Sequence, residues 1–420
     1  MNLFKSFSLY TLASVIERGI AFFLLPVFTF YLTTKDFGVL ALITSIFSFT
    51  LPLVNLGIQS SLPVAYFNGS KENYSSYFSS TIFPPFFIAF FLTLMIFIFK
   101  VPFENYLGIP YIWILSLPFF CFLSFFNSLI LIDYQIKNEA TNYVIFSLSN
   151  STLNILISLL LVVTFNFGYQ GRLIGQYLSV SFFSIIAIYI LRKKRKLLVK
   201  NISWKNTKNS LLFGLPLVPH IIGGIFINMS DRMFIDHFCG KEQLGIYNIG
   251  YVLGSAISIL CVAFANAIIP FSYKLFSLNT YEAKTKVVKV YWIFICLLIF
   301  IVFCVWIFTP FVFKWFVDAK FYGGQKYVIW VTLGYFFQGL YLLFANIIFY
   351  LKKTQVFFYL SFVNILINLS LNYYLIPIFG PMGAAYATCI SFFVFFVTIA
   401  IYCNKVYPLP WMVIFTKFKN

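Results

Sequence analysis

Long apolar segments separated by short polar breaks run along the whole chain. A helix needs about 20 apolar residues to cross ~30 Å of hydrocarbon. The segments that reach this length predict twelve spans, at residues 8–32, 39–64, 78–99, 110–132, 142–165, 171–191, 210–233, 244–269, 288–311, 326–350, 356–377 and 381–403. The pattern therefore predicts an all-α polytopic membrane protein.

Composition supports this class and excludes others. Of the 420 residues, 61% are hydrophobic and 10% are charged, whereas soluble domains have about 25% charged residues. A soluble domain and a disordered chain are excluded, and so is a single-span receptor, because no long polar stretch is left for an ectodomain. The seven cysteines show no CxxC spacing, so we expect no disulfide framework, no metal site and no cofactor.

Basic residues outnumber acidic residues by 29 to 11, which gives a net charge of +18. They lie mostly in short loops between apolar segments, so they indicate topology and not a nucleic-acid partner. Assigned by loop, 20 of them fall on the side of both termini and eight on the other side. Cytoplasmic loops carry the excess of Lys and Arg, so we expect both termini in the cytoplasm.

A basic segment without acidic residues, 192–209, lies between spans six and seven. It divides the chain into a predicted N-terminal six-helix bundle at 1–191, a basic cytoplasmic linker at 192–209 and a C-terminal six-helix bundle at 210–420. We interpret the segment as a topology anchor that also touches anionic membrane lipid. A dedicated headgroup-binding site is the alternative.

The two halves repeat weakly in sequence. At an offset of 214, polar residues of the fifth span align with polar residues of the eleventh: Ser147 with Ser361, Asn150 with Asn364, Asn154 with Asn368 and Ser158 with Asn372. An even number of spans in each half makes both halves insert in the same direction, as in several transporter folds. We expect two pseudo-symmetric bundles around a central cavity.

Polar side chains inside the spans are the candidate site residues, because burying them in a membrane is costly. Arg18 lies near the middle of the first span, on the same helical face as Thr11 and Ser14. We expect it to bind an anionic group of the substrate, with a structural ion pair as the alternative. Its neighbour Glu17 is the first candidate for ion coupling, since a carboxyl group can carry a proton; a fixed structural partner of another basic residue is the alternative.

The seventh span supplies three more candidates. Glycines and prolines at its start are typical of membrane helices that bend beside a cavity. His220 and Asp231 are further ion-coupling candidates, and Arg232 is a further substrate contact. The alternatives are a hydrogen-bonded packing role for His220 and, for Asp231 with Arg232, a salt-bridged pair near the external surface.

The matched polar faces contain four candidate substrate contacts: Asn150, Asn154, Asn364 and Asn368. They either join helices by hydrogen bonds or line a polar lumen that accepts sugar hydroxyls. Equivalent faces of two repeats meet around one axis, which favours the lumen. No GxxxxGK[ST] loop and no DxD carboxylate pair occurs in the sequence, so we expect neither an ATP motor nor an enzyme.

Several short motifs resemble those of the polysaccharide biosynthesis protein family, the Wzx-type O-antigen flippases. They are Lys35-Asp36-Phe37-Gly38, Leu215-Pro216-Leu217, Asp231-Arg232-Met233-Phe234-Ile235, Leu244-Gly245-Ile246-Tyr247 and the stretch from Ile376 to Thr388. The resemblance covers essentially the whole chain. The twelve spans are also similar to those of the wider multidrug/oligosaccharidyl-lipid/polysaccharide exporter superfamily.

The resemblance implies a flippase that moves an undecaprenyl-diphosphate-linked oligosaccharide from the cytoplasmic to the periplasmic leaflet of a bacterial inner membrane. It implies alternating access through a cation-lined cavity, for which Arg18 is the clearest intramembrane cation in the sequence. Protons or sodium are the candidate coupling ions, and other polysaccharide-assembly membrane proteins are candidate partners. The glycan could belong to O-antigen, as in lipopolysaccharide biosynthesis, to capsule or to exopolysaccharide.

Two other functions stay open from the sequence. One is a cation-coupled drug antiporter of the same superfamily, which would need acidic groups in its cavity. The other is a membrane-embedded polysaccharide polymerase or acyltransferase, for which Asp231 with His237 is a poor catalytic set.

The predicted topology is testable by cysteine labelling on a Cys-free background. Lys200→Cys should react with a membrane-impermeant reagent in opened cells but not in intact cells, whereas Lys320→Cys should react in both. Labelling of position 200 from outside intact cells would overturn the orientation.

Overall fold

The computed structural model describes residues 16, 19–20, 24–68, 71–200, 202–351 and 355–411. Within these residues every regular element is helical. The α-helices are α1 Leu25–Tyr31, α2 Thr34–Asn55, α3 Leu62–Asn68, α4 Lys71–Ser80, α5 Phe83–Ile98, α6 Lys100–Leu107, α7 Tyr111–Ile136, α8 Ala140–Leu159, α9 Gly168–Tyr189, α10 Trp204–Gly214, α11 Leu217–Ser255, α12 Ile257–Leu278, α13 Tyr281–Phe316, α14 Gln325–Tyr350, α15 Gln355–Phe379 and α16 Pro381–Val406. Single π-helical turns extend α8 and α9, and 3₁₀ turns cover Ile58–Ser61 and Ala319–Gly324.

The described part of the chain contains 11 helical segments that are long and apolar enough to cross a membrane. They correspond in order to the second through twelfth predicted spans. The first predicted span, 8–32, lies largely outside the described residues. The prediction of an all-α polytopic membrane protein is confirmed.

The chain forms two compact units, residues 1–225 and 226–420. The division falls inside α11, within the predicted span 210–233 and after the predicted linker 192–209. The linker belongs to the first unit, because hydrogen bonds join it to the end of α4. The Ser79 hydroxyl donates to the Leu197 carbonyl at 2.7 Å, and the Val199 N–H donates to the Ser79 oxygen at 2.8 Å.

Close backbone contact also holds α10 to the first unit. A Cβ atom added at Gly214 would lie 2.7 Å from the Ile58 nitrogen, which is nearer than real Cβ contacts. The facing Gly57 has a φ of +64°, a backbone conformation that favours glycine. Gly214 therefore serves helix packing within the first unit.

A buried ionic cluster fixes the start of the basic segment. The Asp133 carboxylate, which is fully buried, lies 2.7 Å from the Lys137 ammonium and 3.1 Å from the Arg195 guanidinium. Arg195 also pairs with Glu139. Burial alone would raise the pKa of the Glu139 carboxyl, but hydrogen bonds from Arg195 and Asn142 hold this pKa below its ordinary value. Arg195 is thus neutralised, unlike the rest of the basic segment.

In the second unit a sharp turn at Gly240 folds α11 on itself. Gly240 has φ 81° and ψ 169°, which are non-helical values, so α11 consists of two arms, 217–239 and 241–255. The second arm contacts α14 and its preceding turn closely. A Cβ atom at Gly250 would fall inside normal contact distance of the Gly324 backbone.

The sequence repeat is visible in the packing of two helix pairs. In the first unit α9 passes close to the π-helical turn that ends α8. The closest approach is at Gly171, where an added Cβ atom would lie 3.0 Å from the Leu161 side chain. In the second unit Gly383 of α16 contacts the Leu375 backbone of α15 in the same way. The leucines are 214 residues apart, which is the offset at which the polar residues of the fifth and eleventh spans align, and the glycines are 212 residues apart. The two pairs therefore cross at equivalent positions.

Candidate functional site

In the first unit, the polar face of α8 surrounds a cation from α9. The Arg172 guanidinium donates to the Asn154 amide oxygen and to the Ser158 hydroxyl, each at 2.7 Å. Ser158 in turn donates to the Asn154 oxygen at 3.2 Å. The Phe28 ring lies under the guanidinium, 5.1 Å away. We call these residues the Arg172 cluster.

Arg172 keeps its positive charge without a carboxylate partner among the described residues. Its hydrogen-bond partners are a neutral amide and a neutral hydroxyl, and its side chain is only partly buried. A guanidinium has five N–H donors, so this arrangement leaves donors for an incoming anion. The cluster is chemically suited to bind a phosphate or carboxylate group by a bidentate pair of hydrogen bonds.

The placement of Arg172 corrects the interpretation of the sequence. From the sequence, Arg172 is one of the eight basic residues counted on the side opposite the termini, and Arg18 stands out instead as the clearest intramembrane cation. The structure places Arg172 in the first turns of α9, inside the candidate span Gly168–Lys194. The available signal was Gly168-x-x-Gly171 directly before it, which starts a helix closely packed on α8.

Asn150, one turn before Asn154, serves the contact between α8 and α9. The Ser179 hydroxyl lies 2.6 Å from the Asn150 side-chain oxygen and 2.8 Å from its carbonyl oxygen. Asn150 thus joins two helices by hydrogen bonds, which is one of the two roles that the sequence predicts for this polar face. The structure therefore brings Asn154, but not Asn150, into direct contact with a cation.

The equivalent polar face in the second unit forms a buried network of neutral side chains. Asn368 of α15 donates to the Ser391 hydroxyl of α16 at 3.1 Å. It accepts from Asn372 at 3.0 Å and from Ser230 of α11 at 3.3 Å. The network joins three helices and is buried.

Asn364 lies one turn from this network and differs from it. The side chain is 2% exposed, and neither its oxygen nor its nitrogen forms a hydrogen bond within the described part of the protein. Leaving a buried amide unpaired costs about 1–3 kcal/mol for each group.

A buried ion pair follows directly after Ser230. Asp231 is 1% exposed and Arg232 is 5% exposed. One Asp231 oxygen lies 3.2 Å from the Arg232 guanidinium and accepts the Arg232 backbone N–H at 2.9 Å. The other accepts the Tyr247 hydroxyl at 2.6 Å. Together with Tyr247, Tyr251 and Tyr335, these two residues form what we call the Asp231 cluster.

The Asp231 cluster closes the turn of α11 at Gly240. Tyr247 is on the second arm, and so is Tyr251, whose ring lies 4.3 Å from the Arg232 guanidinium. The Tyr251 and Tyr335 hydroxyls share a hydrogen bond of 2.6 Å. The sequence motifs that contain Asp231 and Tyr247 are therefore in contact. Their hydrogen bond joins the two arms of α11.

Asp231 and Arg232 form a salt bridge, which is the alternative that the sequence offers for them, and the pair is buried within the protein. The turn at Gly240 brings the second arm and α14 over them, and this removes them from solvent. Arg232 is enclosed by Asp231 and aromatic rings and is a structural cation in this conformation.

The other predicted site residues have limited structural descriptions. Glu17 and Arg18 lie outside the described residues. His220 lies in the first arm of α11, in the first unit, and its side chain is outside the described part. No group of three His, Cys, Asp or Glu side chains within the described residues could hold a metal ion.

Two surface clefts lie away from both clusters. One, of about 610 Å³, lies in the second unit between the ends of α13 and α14. The other, of about 580 Å³, lies in the first unit between α5 and α10. Neither is lined by a residue of the Arg172 cluster or the Asp231 cluster.

The Asp231 cluster gives a stability prediction. Removing one partner of a buried ion pair leaves an uncompensated charge and typically costs about 3–5 kcal/mol. Asp231→Asn and Arg232→Gln should each lower the unfolding temperature of the detergent-solubilised protein, and the double variant should regain much of the loss. Glu242→Gln removes an exposed carboxylate from the same helix and should leave the temperature unchanged. Single variants as stable as the native protein would contradict a buried pair.

The sequence matches known families along most of its length. The profile of the polysaccharide biosynthesis protein family matches residues 3–276, and the MatE profile matches residues 216–374. Lsg locus putative protein 1 of Haemophilus influenzae is 30% identical over 145 residues, which span 34% of this chain and 36% of that protein. An uncharacterized membrane protein of the same organism is 22% identical over 88% of this chain and 89% of its own length.

Solved transporter structures share the fold. An inward-facing multidrug resistance MATE family transporter of the MOP superfamily superposes with a TM-score of 0.74 at 14% identity, covering 94% of both chains. The lipid II flippase MurJ, in an inward closed conformation, gives a TM-score of 0.68 at 18% identity, covering 94% of this chain and 87% of MurJ. Because the profile of the polysaccharide biosynthesis proteins covers more than half of the sequence, the chain belongs to the polysaccharide biosynthesis protein family.

Proposed function

We propose that the protein is a flippase for an undecaprenyl-diphosphate-linked oligosaccharide. It moves the repeat unit of O-antigen or a similar surface glycan from the cytoplasmic to the periplasmic leaflet of a bacterial inner membrane, by alternating access. Family membership supports a role in polysaccharide assembly, and the fold shared with MurJ supports transport of a lipid-linked substrate.

The observation that carries the proposal is the Arg172 cluster. A cation that lies inside a candidate membrane span and has only neutral partners is a candidate functional residue. The diphosphate that links the carrier lipid to the sugar is a dianionic group that suits a guanidinium in geometry and charge. Arg172 would bind the diphosphate, and Asn154 and Ser158 would hold the guanidinium in place. Arg18 remains a proposed second cation for the same anion.

The described polar groups fit sugar recognition less directly. Asn150 and Asn368 bond to neighbouring helices, so their amides are occupied in this conformation. Of the four asparagines predicted as substrate contacts, Asn364 is the one whose buried side-chain oxygen and nitrogen both lack a hydrogen-bond partner among the described residues. We propose that Asn364 meets sugar hydroxyls only after α15 shifts relative to its neighbours during transport.

The energy source in this proposal is an ion gradient, because the sequence has no nucleotide-binding loop. Glu17 is the first proposed coupling site, with protons as the first candidate ion. Asp231 is a weaker candidate, because proton uptake would break its contacts with both Arg232 and Tyr247. His220 is the third candidate.

A drug antiporter is the second candidate function, favoured by the MatE match and the multidrug transporter fold. An organic cation needs an accessible carboxylate in the cavity. Asp231 is closed off by Arg232 and Tyr247, so the described residues offer it poor support.

The cellular test is deletion of the gene in a strain that makes a surface polysaccharide. We expect loss of the polymer and accumulation of the lipid-linked repeat unit on the cytoplasmic face, because synthesis continues without export. Reintroducing the native gene should reverse both effects.

Other outcomes would contradict the flippase. If single repeat units still reach the outer leaflet while polymer is lost, the protein acts as a polymerase. If the polysaccharide is unchanged while sensitivity to cationic drugs rises, it acts as a drug antiporter.

A further inference from the structure

An apolar groove on the first unit lies between α10 and the start of α5. Its volume is about 580 Å³, and its walls are apolar side chains and rings: Phe83, Phe87, Ile202, Trp204, Leu211 and Leu215. Most of these side chains are exposed, including Trp204 at 75%. The polar wall residue, Thr207, bonds its hydroxyl to the Ser80 carbonyl at 3.1 Å, so it offers the groove little polarity.

Two lysines lie on α10 near this groove without lining it. Lys208 is one turn from both Trp204 and Leu211, and Lys205 precedes Lys208 by one turn on the flank of the same helix. Both ammonium groups are exposed, and no ion pair joins either of them to a described carboxylate. Arg195, earlier in the same segment, is instead paired with Asp133. The positive charge beside the groove is therefore not neutralised.

The length of α10, which forms one wall of the groove, is close to the thickness of one leaflet of a bilayer. Helix α10 has 11 residues, which corresponds to a rise of about 16 Å at 1.5 Å per residue. Half of a hydrocarbon core ~30 Å thick is about 15 Å. An acyl chain of ordinary length would thus lie along α10 from the headgroup region to the bilayer centre. A polyprenyl chain is much longer than the groove.

We infer that this groove binds one anionic phospholipid from the leaflet beside the 192–208 segment. An acyl chain occupies the space between α5 and α10, and the phosphate lies at Lys205 and Lys208. Trp204, at the same end of α10 as Lys205, takes the position that tryptophan prefers at the headgroup boundary.

The test is native mass spectrometry of the full-length protein with equal amounts of phosphatidylglycerol and phosphatidylethanolamine. We expect preferential retention of phosphatidylglycerol. Lys205→Gln with Lys208→Gln should weaken this binding by about thirtyfold, since each basic residue near an anionic surface contributes a factor of about five. The matched control, Lys193→Gln with Lys194→Gln, removes two exposed cations from the same segment and should reduce binding less than threefold.

The apolar part is tested separately on the same helix. Leu211→Trp should fill the groove and prevent lipid retention, whereas Leu212→Trp, at an exposed position outside the groove, should not. Unchanged unfolding temperatures in lipid-free detergent show that the variants are folded; Leu211→Phe replaces Leu211→Trp if the larger ring unfolds the protein.

Three results would overturn the inference. Equal losses from the two lysine pairs would show diffuse attraction of lipid to the basic segment. Equal retention of phosphatidylethanolamine would remove the role of charge. Preferential retention of undecaprenyl phosphate over phosphatidylglycerol would assign the groove to the carrier lipid.

Discussion

A charged side chain inside a bundle of apolar helices must obtain its hydrogen bonds and counter-charge from neighbouring helices. This constraint explains how each unit is built around an arginine. In the second unit Arg232 is compensated by Asp231 and enclosed by tyrosine rings, so the charge is neutral overall and closes the turn at Gly240. In the first unit Arg172 receives only neutral partners, Asn154 and Ser158. The ion pair of the second unit joins the two arms of α11. The neutral partners of Arg172 in the first unit are the reason for proposing that it binds an anionic ligand.

The repeat shows how one helix crossing gives two different sites. Gly171 and Gly383 allow equivalent close contacts between α8 and α9 and between α15 and α16. The residue after Gly171 is Arg172, whereas the residue after Gly383 is Ala384. The second unit therefore keeps the geometry of the polar face but fills it with neutral asparagine and serine. Two related bundles thus provide a cationic face and a neutral face.

The fold class was predictable from the sequence because a membrane span is a local property of about 20 residues. The polar faces of the fifth and eleventh spans were predictable for the same reason, since their spacing follows helical periodicity. Arg172 was missed because it lies near a span end, where apolar pattern alone does not separate a helix from a loop. The burial of Asp231 depends on a reversal at Gly240 that brings in residues 16 positions later, and no local pattern predicts that contact.

The central claim is that Arg172 contacts the anionic group of the transported lipid. The direct measurement is transport of undecaprenyl-diphosphate-linked oligosaccharide across vesicles that contain purified protein, followed by access of an external glycosidase to the sugar. Arg172→Gln keeps an N–H donor for Asn154 and removes the charge, so it should transport at least about tenfold more slowly at native stability, as expected for the loss of a charged hydrogen bond. Arg192→Gln, which removes an exposed cation shortly after the same helix, should transport at the native rate. Native-rate transport by Arg172→Gln would contradict the account.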